Sequence, residues 1–267
     1  MNRFRSLHFS IMHKLIATIS TRIFGNLTYT VRHGLNKGMR RKGGLGFLPF
    51  RSPENAETRF LRDLDLRDKV VYDIGAFEGQ LSLFFAQRAQ CVIAFEPNPR
   101  NYRRCLENVA LNNARNITVL NRGLSDVSGM VELAYDSLMP GAGSAEGAIR
   151  QQITESVPDV RTVRVPVVAL DEALPGPPPS LVKIDIEGME YKALRGMELT
   201  LRRHRPCLYI ELHGATAKEK TDISRSVIGF LETLGYEVYD VERACHIRLA
   251  ALNHCPSHIY ATAVRPS

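Results

Sequence analysis

From Glu54 onward the chain predicts an α/β fold, a doubly wound and mostly parallel sheet with helices on both faces. Three features predict it. Apolar runs of strand length alternate with longer segments whose apolar residues recur every three to four positions. The runs are almost unbroken in Val, Ile, Leu and Phe, as strands covered on both sides must be. Several of them stop at acids and glycines, the composition expected where such a sheet meets a ligand beyond its strand tips.

The first 53 residues stand apart from that pattern. They hold ten Lys or Arg and no acid, leaving 25 basic against 28 acidic residues in the remainder, so the net charge of +7 resides in the arm. A near-neutral body argues against a body-wide nucleic-acid surface. Residues 3–24 carry Phe4, Leu7, Ile11, Met12, Leu15, Ile16, Ile19 and Ile23 at helical spacing, hence an amphipathic helix. Three uses stay open for it: packing on its own domain or a partner, lying on a membrane surface, or, in a eukaryote, serving as a mitochondrial presequence. Residues 34–53 (GLNKGMRRKGGLGFLPFRSP) read as a Gly-rich basic connector or flap. The division is therefore an arm at 1–53 and one domain at 54–267. No run of eighteen apolar residues occurs, and five scattered cysteines suit a reducing, cytoplasmic setting.

Within the domain, strands are predicted at 69–74, 91–96, 116–121, 130–134, 160–168, 180–186, 206–212, 236–241 and 257–264, the last two as a closing antiparallel hairpin. Helices are predicted at 54–64, 78–89, 99–113, 189–203 and 217–234. The stretch 135–159 is small-residue rich and long for a connection; with Ser144, Glu146 and glycines at 141, 143 and 147 it reads as a lid.

The chemistry sits at strand tips. Asp73-Ile74-Gly75-Ala76-Phe77-Glu78-Gly79 opens a helix whose N–H groups favour negative charge, and its glycines would let a ligand touch backbone. Its spacing is not the G-x-G-x-x-G of dinucleotide binders. The next strand ends at Glu96-Pro97-Asn98-Pro99, where a carboxylate can accept from both ribose hydroxyls and proline stops the strand. Ser125-Asp126 lies in Gly123–Gly129, either toward an adenine amino group or as an ordinary Asp-to-Gly turn. In Lys183-Ile184-Asp185-Ile186-Glu187 the period of two puts Lys183, Asp185 and Glu187 on one face, and a lysine in a central strand needs a carboxylate partner. Glu211-Leu212-His213 ends another strand, and His213 could accept a proton near neutrality.

The segments VYDIGAFEGQLSLFFA, IAFEPNPRNYRRCLENVALN, LSDVSG, VPVVALDEAL, LVKIDIEGMEYKALRGM and PCLYIELHG, in that order over roughly 70–215, resemble the FkbM family of class I S-adenosylmethionine-dependent methyltransferases. The resemblance implies a seven-stranded Rossmann-like sheet and S-adenosylmethionine as cofactor. It implies cofactor contacts at Asp73, Gly75, Ala76, Gly79, Glu96, Pro97, Ser125 and Asp126, with Asp73 and Gly75 toward the methionine part. It places Asp185, Glu187 and Glu190 in the reaction-facing motif, and methylation of a hydroxyl on a sugar, glycan or polyketide-like molecule is the activity it implies.

An alcohol must lose its proton as the methyl arrives, so a base is required; the candidates, in order, are Asp185, His213, Glu211 and Glu187. A divalent metal bridging Asp185 and Glu211 is compatible with oxygen ligands but not expected, and neither is zinc among Cys245, His246, His254, Cys255 and His258. Two alternatives remain. An RNA ribose methyltransferase would use Asp185, Lys192 and Glu211 with the basic arm on phosphates, and a binding module would hold the cofactor without turnover.

Overall fold

The computed structural model describes residues 26–43, 54–136, 143–145 and 160–264. The amphipathic stretch 3–24, Glu146 and most of the 135–159 stretch lie outside them.

A two-stranded hairpin comes first, β1 (Thr28–Thr30) antiparallel to β2 (Arg40–Lys42). Residues 34–43 are thus not an open connector. Asn112 and Asn108 hold this hairpin to the domain, their side-chain oxygens accepting from Arg40 N at 2.9 Å and Lys42 N at 2.8 Å. Helix α1 (Ala56–Asp63) starts where Asn55 accepts from Thr58 N, and Glu57 complements its N-terminal dipole.

Strand β3 (Val70–Ile74) is buried throughout and leads into α2 (Gln80–Ala86); β4 (Cys91–Phe95) leads into α3 (Pro99–Leu111). Asn98 caps α3 and Pro99 opens it, needing no N–H there. Then follow β5 (Ile117–Leu120), β6 (Gly123–Leu124), β7 (Gly129–Asp136), β8 (Gly143–Ser144) and β9 (Val160–Val168). Strand β10 (Leu181–Ile184) is followed by α4 (Glu190–Arg195) and α5 (Glu198–His204). One helix was predicted here, and two form. Gly196 at the break lies against the Ser125 carbonyl, and Asp171 caps α5 by accepting from Leu199 N and Thr200 N. Strand β11 (Cys207–Glu211), α6 (Ala217–Thr233), β12 (Tyr236–Asp240), β13 (Cys245–Ile247) and β14 (His258–Ala263) complete the chain.

The main sheet runs β13-β12-β14-β11-β10-β3-β4-β5. Strands β5, β4, β3, β10 and β11 are parallel neighbours, and β14 pairs antiparallel with both β11 and β12. The seven expected strands are there, the hairpin of β12 and β14 included, and the short β13 is an eighth at the edge. Alternate residues feed opposite faces. Val70, Tyr72 and Ile74 pack with Val182, Ile184, Leu194, Leu201 and Val227, beneath α4 to α6. Val71, Val92, Leu181 and Tyr209 pack with Leu61, Phe84 and Phe85 of α1 and α2. Strands β7 and β9, expected among the parallel strands, instead join β6 and β8 in a separate four-stranded sheet, ordered β6-β9-β7-β8.

Chain order leaves β3 toward β5 on one side and returns at β10 on the other. The strand tips of β3 and β10 therefore form the switch point at which such sheets bind ligands.

Candidate active site

Register builds the floor of this switch point. Lys183 and Asp73 are Cα partners across β10 and β3. Asp73 is fully buried; its Oδ2 accepts from Ser82 Oγ at 2.5 Å and its Oδ1 lies 3.2 Å from Lys183 Nζ. That ammonium also reaches Asp185 Oδ2 at 3.3 Å and donates to the Gly75 carbonyl at 2.9 Å. Burial opposes the charge on Lys183, but the Asp185 and Asp73 carboxylates outweigh it and hold its pKa above the ordinary lysine value. The predicted carboxylate partner of Lys183 is thus a pair. Asp73 does not line the cavity, because the period of two turns it onto the α2 face.

The glycines of this turn are explained by protein. A Cβ on Gly75 would stand 1.8 Å from the Asp185 carbonyl oxygen, and one on Gly79 would stand 2.7 Å from Cys105 Sγ. Both also hold left-handed φ angles, 82° and 81°. Gly75 still borders the cavity described next, whereas Ala76 and Gly79 do not. Ala76 is buried and donates its N–H to the Phe95 carbonyl.

That cavity, of about 200 Å³, runs from the tip of β4 to the tip of β10. Glu96, Pro97, Asn98 and Asn101 form one end; Asp185, Ile186, Glu187 and Met189 form the other. Its apolar roof is Val131, Leu133, Val165 and Val167 of the second sheet, with Ala145. Glu96 accepts from Phe77 N and Asn98 N, each at 2.8 Å. Burial pushes its carboxyl up to about 7, although those N–H bonds pull the other way. Asn98 is 1 % exposed, and its buried amide Nδ2 has no partner. Ser125 and Asp126 do not line the cavity. Ser125 is buried with its N–H on the Val168 carbonyl, and Asp126 is exposed. Gly123 and Leu124, just before them, occupy the wall instead.

At the far end Asp185 and Glu187 line the cavity, and Glu211 and His213, which do not line it, converge with them. His213 Nε2 lies 3.4 Å from Glu211 Oε1, 3.7 Å from Glu187 Oε2 and 3.8 Å from Asp185 Oδ1. Its Nδ1 pairs at 2.9 Å with Oε1 of Glu190, a residue that is fully buried. Burial opposes charge on the ring, yet Glu190 and Glu211 raise its pKa to about 11. The surrounding carboxylates thus favour a proton on the ring, with Nδ1–H held toward Glu190. Burial raises Glu187 to about 7, opposed by His213 and assisted by Asp185 and Glu211. Strand β10 ends at Ile184, so Glu187 reaches the site through a turn rather than the predicted strand; its φ is 52° and that of Gly188 is 101°. Ser144 Oγ donates to the Glu187 carbonyl at 2.6 Å, which brings the described part of the expected lid onto this turn.

A family model for the methyltransferase FkbM domain matches residues 73–238. The chain belongs to the FkbM methyltransferase family. It is 29% identical over 169 residues to the hexuronic acid methyltransferase AglP of Haloferax volcanii, covering 62% of this chain and 65% of that protein. It is 26% identical over 147 residues to methyltransferase 1 of Beauveria bassiana, covering 49% of this chain and 59% of that one. The matches thus span about three fifths of the length of these relatives. Among solved structures, an FkbM methyltransferase from Methylobacillus flagellatus KT is 18% identical with a TM-score of 0.49, over 78% of this chain and 48% of that chain.

In this FkbM-family chain, the cavity residues Glu96, Asn98, Asn101 and Leu124 are those that could hold an adenosyl group. Two site features escape sequence reasoning. Glu190 was expected only as part of a motif, not as the buried support of His213. His258 belongs to this cluster as well: it is the Cα partner of Glu211, 3.5 Å from Glu211 Oε2, and pairs with Glu242 through Nδ1. His254 pairs with Asp240, and the Cys255 thiol contacts Thr221.

Proposed function

We propose that this protein is an S-adenosylmethionine-dependent O-methyltransferase whose acceptor is a hydroxyl on a sugar or glycan. The observation that carries the reading is one cavity with two chemically different ends. A buried acid and an unpartnered amide stand at the tip of β4, and the carboxylates of Asp185 and Glu187 stand at the tip of β10, with His213 beyond the end of β11 within 3.8 Å of both.

The lining fits the adenosyl part of the cofactor. Glu96 accepts from ribose hydroxyls, Asn98 and Asn101 supply amides, and Pro97, Leu124 and Val167 give an apolar slot for a base. When bound, the cofactor supplies a methyl group already activated for displacement on a sulfonium. The chain's own residues do the rest. Asp185 and Glu187, which line the cavity, face the acceptor; Glu187 takes the hydroxyl proton, its carboxyl being poised near neutrality. Lys183 holds Asp185 in place, and Glu190 holds His213. The apolar roof lies over the cavity, and alignment is the main contribution of the protein. A sugar acceptor is supported by the relative named for hexuronic acid, and by the many hydrogen-bonding groups at the acceptor end.

The test is transfer of labelled methyl from S-adenosylmethionine to pools of sugars, glycans and RNA. Label in the sugar or glycan pool, lost in Glu187→Gln, is expected. Label in RNA alone, or none on protein that binds S-adenosylhomocysteine, would refute the acceptor class or the turnover.

A further inference from the structure

Three side chains at the acceptor end share one construction. Each commits one polar atom to a supporting partner and leaves its other atom facing the same point. Asp185 gives Oδ2 to Lys183 and presents Oδ1. Glu211 gives Oε2 to His258 and presents Oε1. His213 gives Nδ1 to the buried Glu190 and presents Nε2. The three ligand atoms lie within 4.8 Å of one another, a set formed among the described residues by these side chains. A divalent ion about 2.2 Å from each donor spans up to about 4.4 Å, which covers the 3.4 and 3.8 Å from His213 Nε2 to Glu211 Oε1 and Asp185 Oδ1.

The supports make this more than a meeting of acids. A ligand histidine whose other nitrogen is held by a carboxylate, and ligand carboxylates that are themselves anchored, are how metal sites fix donor orientation before the ion arrives. Around the three lie Glu187 and Glu190, so carboxylates outnumber the cations that meet them. Glu190 Oε2 adds a buried carboxylate oxygen with no hydrogen-bond partner.

We propose that Asp185 Oδ1, Glu211 Oε1 and His213 Nε2 form a divalent-cation site of the magnesium or manganese type. Two oxygens and one imidazole suit that class, and three protein donors leave positions open for acceptor oxygens. The inference rests on the methyltransferase reading for its use: a cation there would hold neighbouring hydroxyls of a sugar and ease loss of one proton to Glu187. As the O–H bond breaks toward Glu187, the oxygen forms its bond to the methyl carbon. The carbon–sulfur pair then leaves with sulfur as a neutral thioether.

The test uses the full chain after chelator treatment. Free Mn²⁺ is followed by its paramagnetic resonance during MnCl₂ titration, and S-adenosylhomocysteine binding is measured separately by calorimetry. One Mn²⁺ per chain is expected, weakened about tenfold or more in Glu211→Gln and in His213→Gln, with S-adenosylhomocysteine affinity within about twofold of the parent. Two variants are read so that misfolding of one, seen as loss of S-adenosylhomocysteine binding, leaves the other to decide. Unchanged Mn²⁺ affinity in a folded variant overturns the site. So does an absence of Mn²⁺ binding by parent protein that binds S-adenosylhomocysteine, and the methyltransferase reading then survives. Binding of neither sinks both.

Discussion

The carbonyl oxygen of Asp185 fills the space that a side chain on Gly75 would need, 1.8 Å from its Cβ position. The two strand tips of the switch point are thus in direct contact, and the acid at the reactive end is positioned by the glycine of the first turn. Neither backbone can yield without separating β3 from β10.

Gly75→Ala should therefore lower unfolding stability by about 3 kcal/mol or more, from the left-handed φ and the backbone clash together. Gly79→Ala meets a thiol rather than backbone and should cost roughly 1–2 kcal/mol. Urea denaturation of both variants checks the ranking; equal losses would contradict it.

Lys183→Met removes the cation that Asp73 and Asp185 share. Asp73 then stays fully buried with only Ser82 as partner, and a loss of about 3–5 kcal/mol is expected. Adding Asp73→Asn to it should recover part of the loss, which denaturant melts of the double variant would show.

Glu190→Gln keeps the volume beneath His213 but removes the charge that holds its ring. Turnover should fall about tenfold to a hundredfold while the Kd for S-adenosylhomocysteine changes less than about twofold. A drop in both, measured by steady-state kinetics and calorimetry, would assign Glu190 to folding instead.

With Glu96 at the ribose, as proposed, cofactor affinity should depend on pH. Burial raises its folded pKa to about 7, above the ordinary 4.5. Between those values the folded chain holds a proton that the unfolded chain has released. This group's contribution to stability therefore declines as pH rises from about 4.5 to 7 and is level above. Ribose donors favour the ionised form, so S-adenosylhomocysteine should bind about tenfold more weakly at pH 6 than at pH 8. Glu96→Gln should flatten that dependence.

Much of the site was legible because it is local. Strand-length apolar runs placed β3, β4, β10 and β11, and the polar residues just beyond them, Glu96, Asp185, Glu187, Glu211 and His213, had to gather at one edge of a parallel sheet. The lysine inside β10 announced a carboxylate neighbour. Adjacent positions were less legible. Asp73 ends a strand as expected but faces α2, and Ser125 and Asp126 follow a strand but belong to the second sheet and its turn. His258 could not be joined to Glu211 without knowing that β14 inserts beside β11.

By itself the sequence determined the alternation of strands and helices, the acids at their tips and the family, since periodicity, capping and turn chemistry act between residues a few positions apart. Tertiary structure alone decided what the glycines accommodate, which nitrogen of His213 is held, and the roof that β7 and β9 form over the cavity. Those depend on register and on contacts between distant segments, where a displacement of one residue would turn each side chain to the opposite face.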